Sequence, residues 1–199
     1  MDIRIRPASP EDADIAAKLT FMAYHKYSYD IFGKIGEEAA TNYYKKLWIH
    51  GHNRFGYRYS YIAEYGQTPV GMMTAYPARL INELSSPTIR QLVRIGKVRF
   101  VFHFITHLSN FFYFSGTAGT SPNEFYVSTL SVLPRYRGNG IGSQMIKHAF
   151  KLTREHKYKQ CSLHVLVENA YGIRFYQKNG FAKYPAAAKD AYFRMVYSV

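Results

Sequence analysis

Arg137, followed by glycines at alternate positions (Gly138, Gly140 and Gly142), is the pattern in this chain best suited to chemistry. It lies in the run VLPRYRGNGIG over 132–142, where strand-forming residues lead into a turn and an amphipathic helix follows. The chemistry is anion binding. The first turn of a helix has backbone N–H groups without intrahelical partners, and the helix dipole adds partial positive charge there. Glycines remove the Cβ atoms that would hold a phosphate away from those donors. Arg137 adds a fixed charge beside them.

The spacing is not G-x-G-x-x-G, and no Gly-Lys-Ser/Thr ending makes it a nucleoside triphosphate loop. It reads Arg-x-x-Gly-x-Gly from Arg137 to Gly142. A second pattern follows: Asn169, Gly172, Tyr176, Gly180 and Phe181, spaced N-x-x-G-x-x-x-Y-x-x-x-G-F. In this order, over roughly residues 124–181, the two resemble the cofactor half of the GNAT superfamily of acyl-CoA-dependent N-acetyltransferases. Gly172 stands where that family usually has alanine.

The resemblance implies acetyl-CoA as cosubstrate and a role for each matching residue. The pantetheine arm would pair with the strand before the turn, through the backbone of Leu130 and Val132. The Leu130 N–H would face the thioester carbonyl and stabilise its developing negative charge. The pyrophosphate would sit on the amides of Arg137, Gly138, Asn139, Gly140, Ile141, Gly142 and Ser143. Asn169 would hold the arm or the start of its own helix, and Tyr176 would protonate the departing thiolate. Many family members carry a general-base glutamate early in the strand before the turn. Tyr126 occupies that place here, and Glu124 lies two residues earlier on the same face. Either would order a water rather than take the proton directly, and His164 on the following strand is an alternative base. His103 and His107 sit at metal-ligand spacing, but no third ligand is evident, so no metal site is expected.

Several elements must position these groups. Residues 3–7 alternate as an edge strand, and Ser9-Pro10 followed by acids is a helix start, with Ser9 as N-cap. Ile15, Leu19, Met22 and Ala23 give that helix an apolar stripe, and a second helix is expected over 37–49. Residues 59–64 and 70–76 read as a hairpin across Gly66-Gln67-Thr68-Pro69. Strands at 124–132, 161–167 and 192–199 alternate with helices after the glycine turn and at Asn169. The implied fold is α/β, a GNAT-like mixed and mostly antiparallel sheet flanked by helices, with a helical insertion between the third and fourth strands. One domain over 1–199 is expected, the insertion covering about 77–123. In that insertion Val98, Val101, Phe102, Ile105 and Leu108 share a helical face, which suits an added layer or a lid over the acceptor pocket.

Composition sets the remaining bounds. The chain has 199 residues, a net charge of +13 and a single cysteine, Cys161. One cysteine excludes an internal disulfide, and a charged start at Asp2, Arg4 and Arg6 is no secretory signal, so a cytoplasmic location is expected. The basic residues are scattered rather than blocked, and no recognition helix or aromatic RNA-binding motif is present, so nucleic acid is not an expected partner. A membrane is not expected either, the apolar segment near 100–114 being too interrupted. The expected activity is transfer of an acetyl group from acetyl-CoA to a primary amine, small-molecule or peptide, in a ternary complex. A non-catalytic acyl-CoA sensor is the alternative, and the apolar insertion and last strand would suit a homodimer.

Overall fold

Ile3 and Ile5 alternate with Arg4 and Arg6, and the chain opens with a strand, β1 (Ile3–Pro7). The computed structural model describes the backbone of residues 2–33, 35–106, 120–184 and 191–199. Their side chains are described too, except those of Lys26, Tyr27, Asp30 and 97–106. After β1 a single 3-10 turn, Pro10–Asp12, precedes α1 (Ala13–Phe32), so the helix proper begins later than the Ser9 cap suggested. Ser9 N–H still donates to Asp12 Oδ2 at 2.8 Å, and Arg6 grips Asp12 through two nitrogens at 2.8 and 2.7 Å. Helix α2 (Glu37–His50) then leads into β2 (Ser60–Tyr65), β3 (Thr68–Pro77) and α3 (Leu80–Thr106). Strand β4 (Phe125–Val132) precedes the glycine turn and α4 (Ile141–Glu155). The chain closes with β5 (Gln160–Leu166), α5 (Ala170–Lys178), β6 (Ala182–Lys183) and β7 (Tyr192–Ser198).

The seven strands form one sheet in the order β1-β2-β3-β4-β5-β7-β6, and only β4 and β5 run parallel. That pair is joined through α4, as a parallel connection requires. Successive side chains of a strand point to opposite faces, and the sheet accordingly carries two cores. Ala63, Met73, Phe125, Val127 and Leu163 pack with Met145, Ile146 and Ala149 of α4. Ile62 and Met72, one residue out of step, pack with Ala16 and Leu19 of α1 on the other face.

Helix α3 occupies the first part of the expected insertion. The helical face running from Val98 to Leu108, the aromatics of 100–114, and His103 and His107 lie outside the described side chains. Among the described residues no helix is long and apolar enough to cross a membrane.

Candidate acyl-CoA site

The site begins where two strands part. β4 and β5 pair only at Phe125–Cys161, Tyr126–Ser162 and Val127–Leu163. On its other side β4 stays paired to β3 along its whole length except at Ser128, an extra residue in the register. That one-residue bulge resets the alternation. Phe125 and Val127 face α4, and after the bulge Leu130 and Val132 join them, while Tyr126 and Thr129 face α1 and α3. The carbonyl of Ser128 accepts a hydrogen bond from the Tyr24 hydroxyl at 3.0 Å, which pins the bulge to α1.

Beyond Val127 the open edge of β4 has no strand beside it among the described residues. Leu133 N–H donates to Val70 O on β3 at 2.9 Å. By the alternation of an antiparallel ladder, the backbone groups of Val132 and Leu130 point the opposite way, to the open edge. There Val132 O accepts from Arg137 Nε at 3.0 Å. Leu130 and Val132 thus present strand backbone that no strand pairs among the described residues, as an added strand would need, with Val132 O held by Arg137.

The glycine turn continues from this edge. Gly138 and Gly140 have φ of +80° and +77°, and a Cβ on either would stand in open space. Asn139 closes the turn by donating Nδ2 to Tyr136 O and Arg137 O at 3.1 and 3.2 Å. Gln144 N–H is bonded to Gly140 O, so Ile141, Gly142 and Ser143 have the partnerless N–H groups of a helix start. Gly142 carries a second constraint. A Cβ there would meet the Phe175 ring at 3.0 Å, so a larger residue would crowd the packing of α4 on α5. Asn169 caps α5, its Oδ1 accepting from Gly172 N–H at 2.8 Å. A Cβ on Gly172 would fall 2.6 Å from Asn169 Nδ2, which explains glycine where the family pattern has alanine.

On the α1–α3 face of the same parting lies a cluster of phenols. The Tyr76 and Tyr126 rings are 6.1 Å apart, and Tyr126 Oη lies 3.3 Å from His164 Nδ1. Burial pushes the Tyr126 phenol far above its ordinary range; Tyr76 adds to the rise and the Arg54 guanidinium opposes it. Tyr176, whose ring packs against Phe175 and Phe181 of the α4-side core, has its phenol raised chiefly by burial, with Tyr24 adding to the rise. Each keeps its proton across the physiological range. Glu124 is buried and paired with Arg194 of β7, so one of its oxygens is committed, and Oε2 is buried without a partner. Cys161 is fully buried and its thiol is pushed up to about 12, chiefly by desolvation, so it supplies no thiolate nucleophile. Among the described residues no group of three or more His, Cys, Asp or Glu side chains could hold a metal ion. Sequence reasoning passed over Arg54, Tyr76 and Arg194, because nothing in their local sequence distinguishes them. Only the contacts between distant segments bring them here.

A family model described as the acetyltransferase (GNAT) family matches residues 24–181, both patterns included. The chain belongs to the GNAT acetyltransferase family. N-alpha-acetyltransferase 50 of Danio rerio is 26% identical over 122 residues, covering 51% of this chain and 73% of that protein. An N-acetyltransferase from Staphylococcus aureus superposes with a TM-score of 0.72 at 18% identity, covering 97% of this chain and 99% of that one. The PaiA N-acetyltransferase of Thermoplasma acidophilum, solved with coenzyme A, gives a TM-score of 0.57 at 18% identity, covering 100% of both chains.

This acetyltransferase is therefore an acyltransferase enzyme with acetyl-CoA as cosubstrate, and the sheet is the mixed α/β sheet of its family. The geometry fits that ligand. A diphosphate needs open backbone donors, which the turn from Gly138 to Ser143 provides, and an extended arm needs an unpaired strand edge, which Leu130 and Val132 provide.

Proposed function

We propose that the enzyme acetylates an α-amine by direct attack on acetyl-CoA in a ternary complex, with its chemistry at the parting of β4 and β5. The amine nitrogen forms a bond to the thioester carbonyl, and the carbon–sulfur bond breaks. The Leu130 N–H, on the open edge of β4, steadies the oxyanion. Tyr176 gives its proton to the leaving thiolate and regains one from water. Burial raises the phenol, but a thiolate formed in the same dry site is disfavoured by the same burial, so transfer between them stays within reach.

The observation that carries this reading is the pairing of Tyr126 Oη with His164 Nδ1 at 3.3 Å beside the end of the β4–β5 ladder. Tyr126, protonated across the physiological range, orders a water or the amine, and His164 takes the proton. Glu124, tied to Arg194, positions the strand rather than acting as the base. A neutral imidazole is a mild base, and the acceptor must suit it. Deprotonating an α-amine of pKa about 7.7–8 at pH 7 costs about 1–1.4 kcal/mol, against roughly 4–5 kcal/mol for a lysine side chain near 10.4. The likeness to N-alpha-acetyltransferase 50 points the same way.

Release of CoA with α-amine and matched ε-amine acceptors at pH 7 and pH 9 tests the reading. The α-amines should be faster at pH 7, and the ε-amines should gain more by pH 9. Faster turnover of ε-amines at pH 7 would contradict it.

A further inference from the structure

Two arginines are buried on the α1–α3 side of the sheet, and they differ in one respect. Arg194 has Glu124 as its ion-pair partner. Arg54, only 6% exposed, has no carboxylate within ion-pair distance among the described residues, and its Nε is buried without a hydrogen-bond partner. Arg54 sits in the loop between α2 and β2, held by its backbone N–H on Thr88 Oγ1 of α3 at 3.1 Å. Its charge acts on the phenols of Tyr76, Tyr126 and Tyr24 through the surrounding field. Those hydroxyls are neutral, so they leave the charge uncompensated. Guanidinium cannot shed its proton to escape this cost, and its planar fork suits a carboxylate in two-point contact. A buried charge is normally paired. The uncompensated one here stands beside Tyr126, where the reading above puts the acceptor amine.

We propose that Arg54 is a specificity-determining residue that binds a carboxylate carried by the acceptor close to its reactive α-amine. The inference rests on the α-amine reading and names the class of amine. A free amino acid meets the requirement through its own carboxylate, and a peptide meets it through an N-terminal Asp or Glu. The net charge of +13 suits an anionic acceptor too.

The test compares kcat/KM for free amino acids against their amides, and for peptides beginning with Glu against peptides beginning with Gln. Wild type, Arg54→Gln and Arg54→Lys are each assayed with saturating acetyl-CoA. A charge-assisted hydrogen bond of ordinary strength predicts a preference of about 10- to 100-fold for the acid of one pair, mostly in KM. Arg54→Gln should abolish that preference while leaving acetyl-CoA affinity unchanged, and Arg54→Lys should keep part of it. Preference in the first pair identifies a free amino acid as acceptor, and preference in the second identifies an acidic N-terminus. Equal rates for acid and amide in both pairs, or an equal loss on both members in Arg54→Gln, would overturn the proposal. So would failure to acetylate any of the acids while acetyl-CoA still saturates. Failure to saturate with acetyl-CoA would instead strike the acyltransfer reading itself, and this inference with it.

Discussion

The Tyr24 hydroxyl donates to the carbonyl oxygen of Ser128 at 3.0 Å and lies 2.9 Å from Thr129 Oγ1, across 104 and 105 residues of chain. Ser128 is the one residue of β4 without a counterpart on β3. Helix α1 therefore holds the bulge from outside the sheet. The bulge shifts the alternation of β4 just past the last residue that pairs with β5. One tyrosine on a remote helix thus helps set which backbone groups face the opening between the strands.

The glycines of the turn should separate by role. Gly140→Ala places a side chain at φ +77°, an arrangement that costs an L-residue about 1–2 kcal/mol, and puts a methyl into the open cradle. Gly142→Ala drives a methyl toward the Phe175 ring at 3.0 Å, overpacking worth about 1–3 kcal/mol. Calorimetric titration with acetyl-CoA and thermal melts should show the larger loss of affinity in Gly140→Ala. The larger loss of stability relative to its loss of affinity should fall in Gly142→Ala.

Much of this site was legible because it is local. The turn at 138–143 and the Asn169 helix each act through residues a few positions apart, and there the spacing is the structure. The packing demand on Gly142 was not legible, because it comes from Phe175 on another helix, which no spacing reveals. Glu124 looked available in sequence, but its partner Arg194 lies 70 residues away on β7. Arg54 was invisible for the same reason: its burial comes from α3 and its phenolic neighbours from α1, β3 and β4. The longer strands were legible within a residue or two from alternation and turn residues, while the two-residue β6 (Ala182–Lys183) was not, being too short to show any alternation. The parting of β4 from β5 was not, since it follows from pairing that stops rather than from any residue type.

Breaking the Glu124–Arg194 pair should be costly and restoring an apolar pair should not. Glu124→Gln leaves a buried guanidinium uncompensated and should lower stability by about 3–5 kcal/mol. Replacing both partners together, Glu124→Leu with Arg194→Met, should recover most of that in urea melts. The acid limb of the kcat/KM profile should keep its midpoint in Glu124→Gln and disappear in His164→Asn. A shifted midpoint in Glu124→Gln would return Glu124 to the role of base.

Alkaline pH should unfold the protein through its buried phenols. Burial raises Tyr24, Tyr44, Tyr126 and Tyr176 above their ordinary value. A group whose folded pKa is raised binds its proton more tightly when folded, so its contribution is intact below the unfolded value near 10. It is lost as pH climbs beyond, at about 1.4 kcal/mol per pH unit for each such phenol. Denaturant melts at pH 8, 10 and 11 should be flat over the first interval as far as these phenols are concerned, and steep over the second.

Tyr176 carries the central claim, that acetyl transfer ends with a phenol proton on the departing thiolate. The direct measurement is CoA release by Tyr176→Phe with an α-amine acceptor, alongside acetyl-CoA titration of the same variant. The account predicts kcat lower by about 10²-fold or more, the scale of a general acid, with acetyl-CoA affinity unchanged. A variant that turns over at the wild-type rate with the same affinity would contradict it.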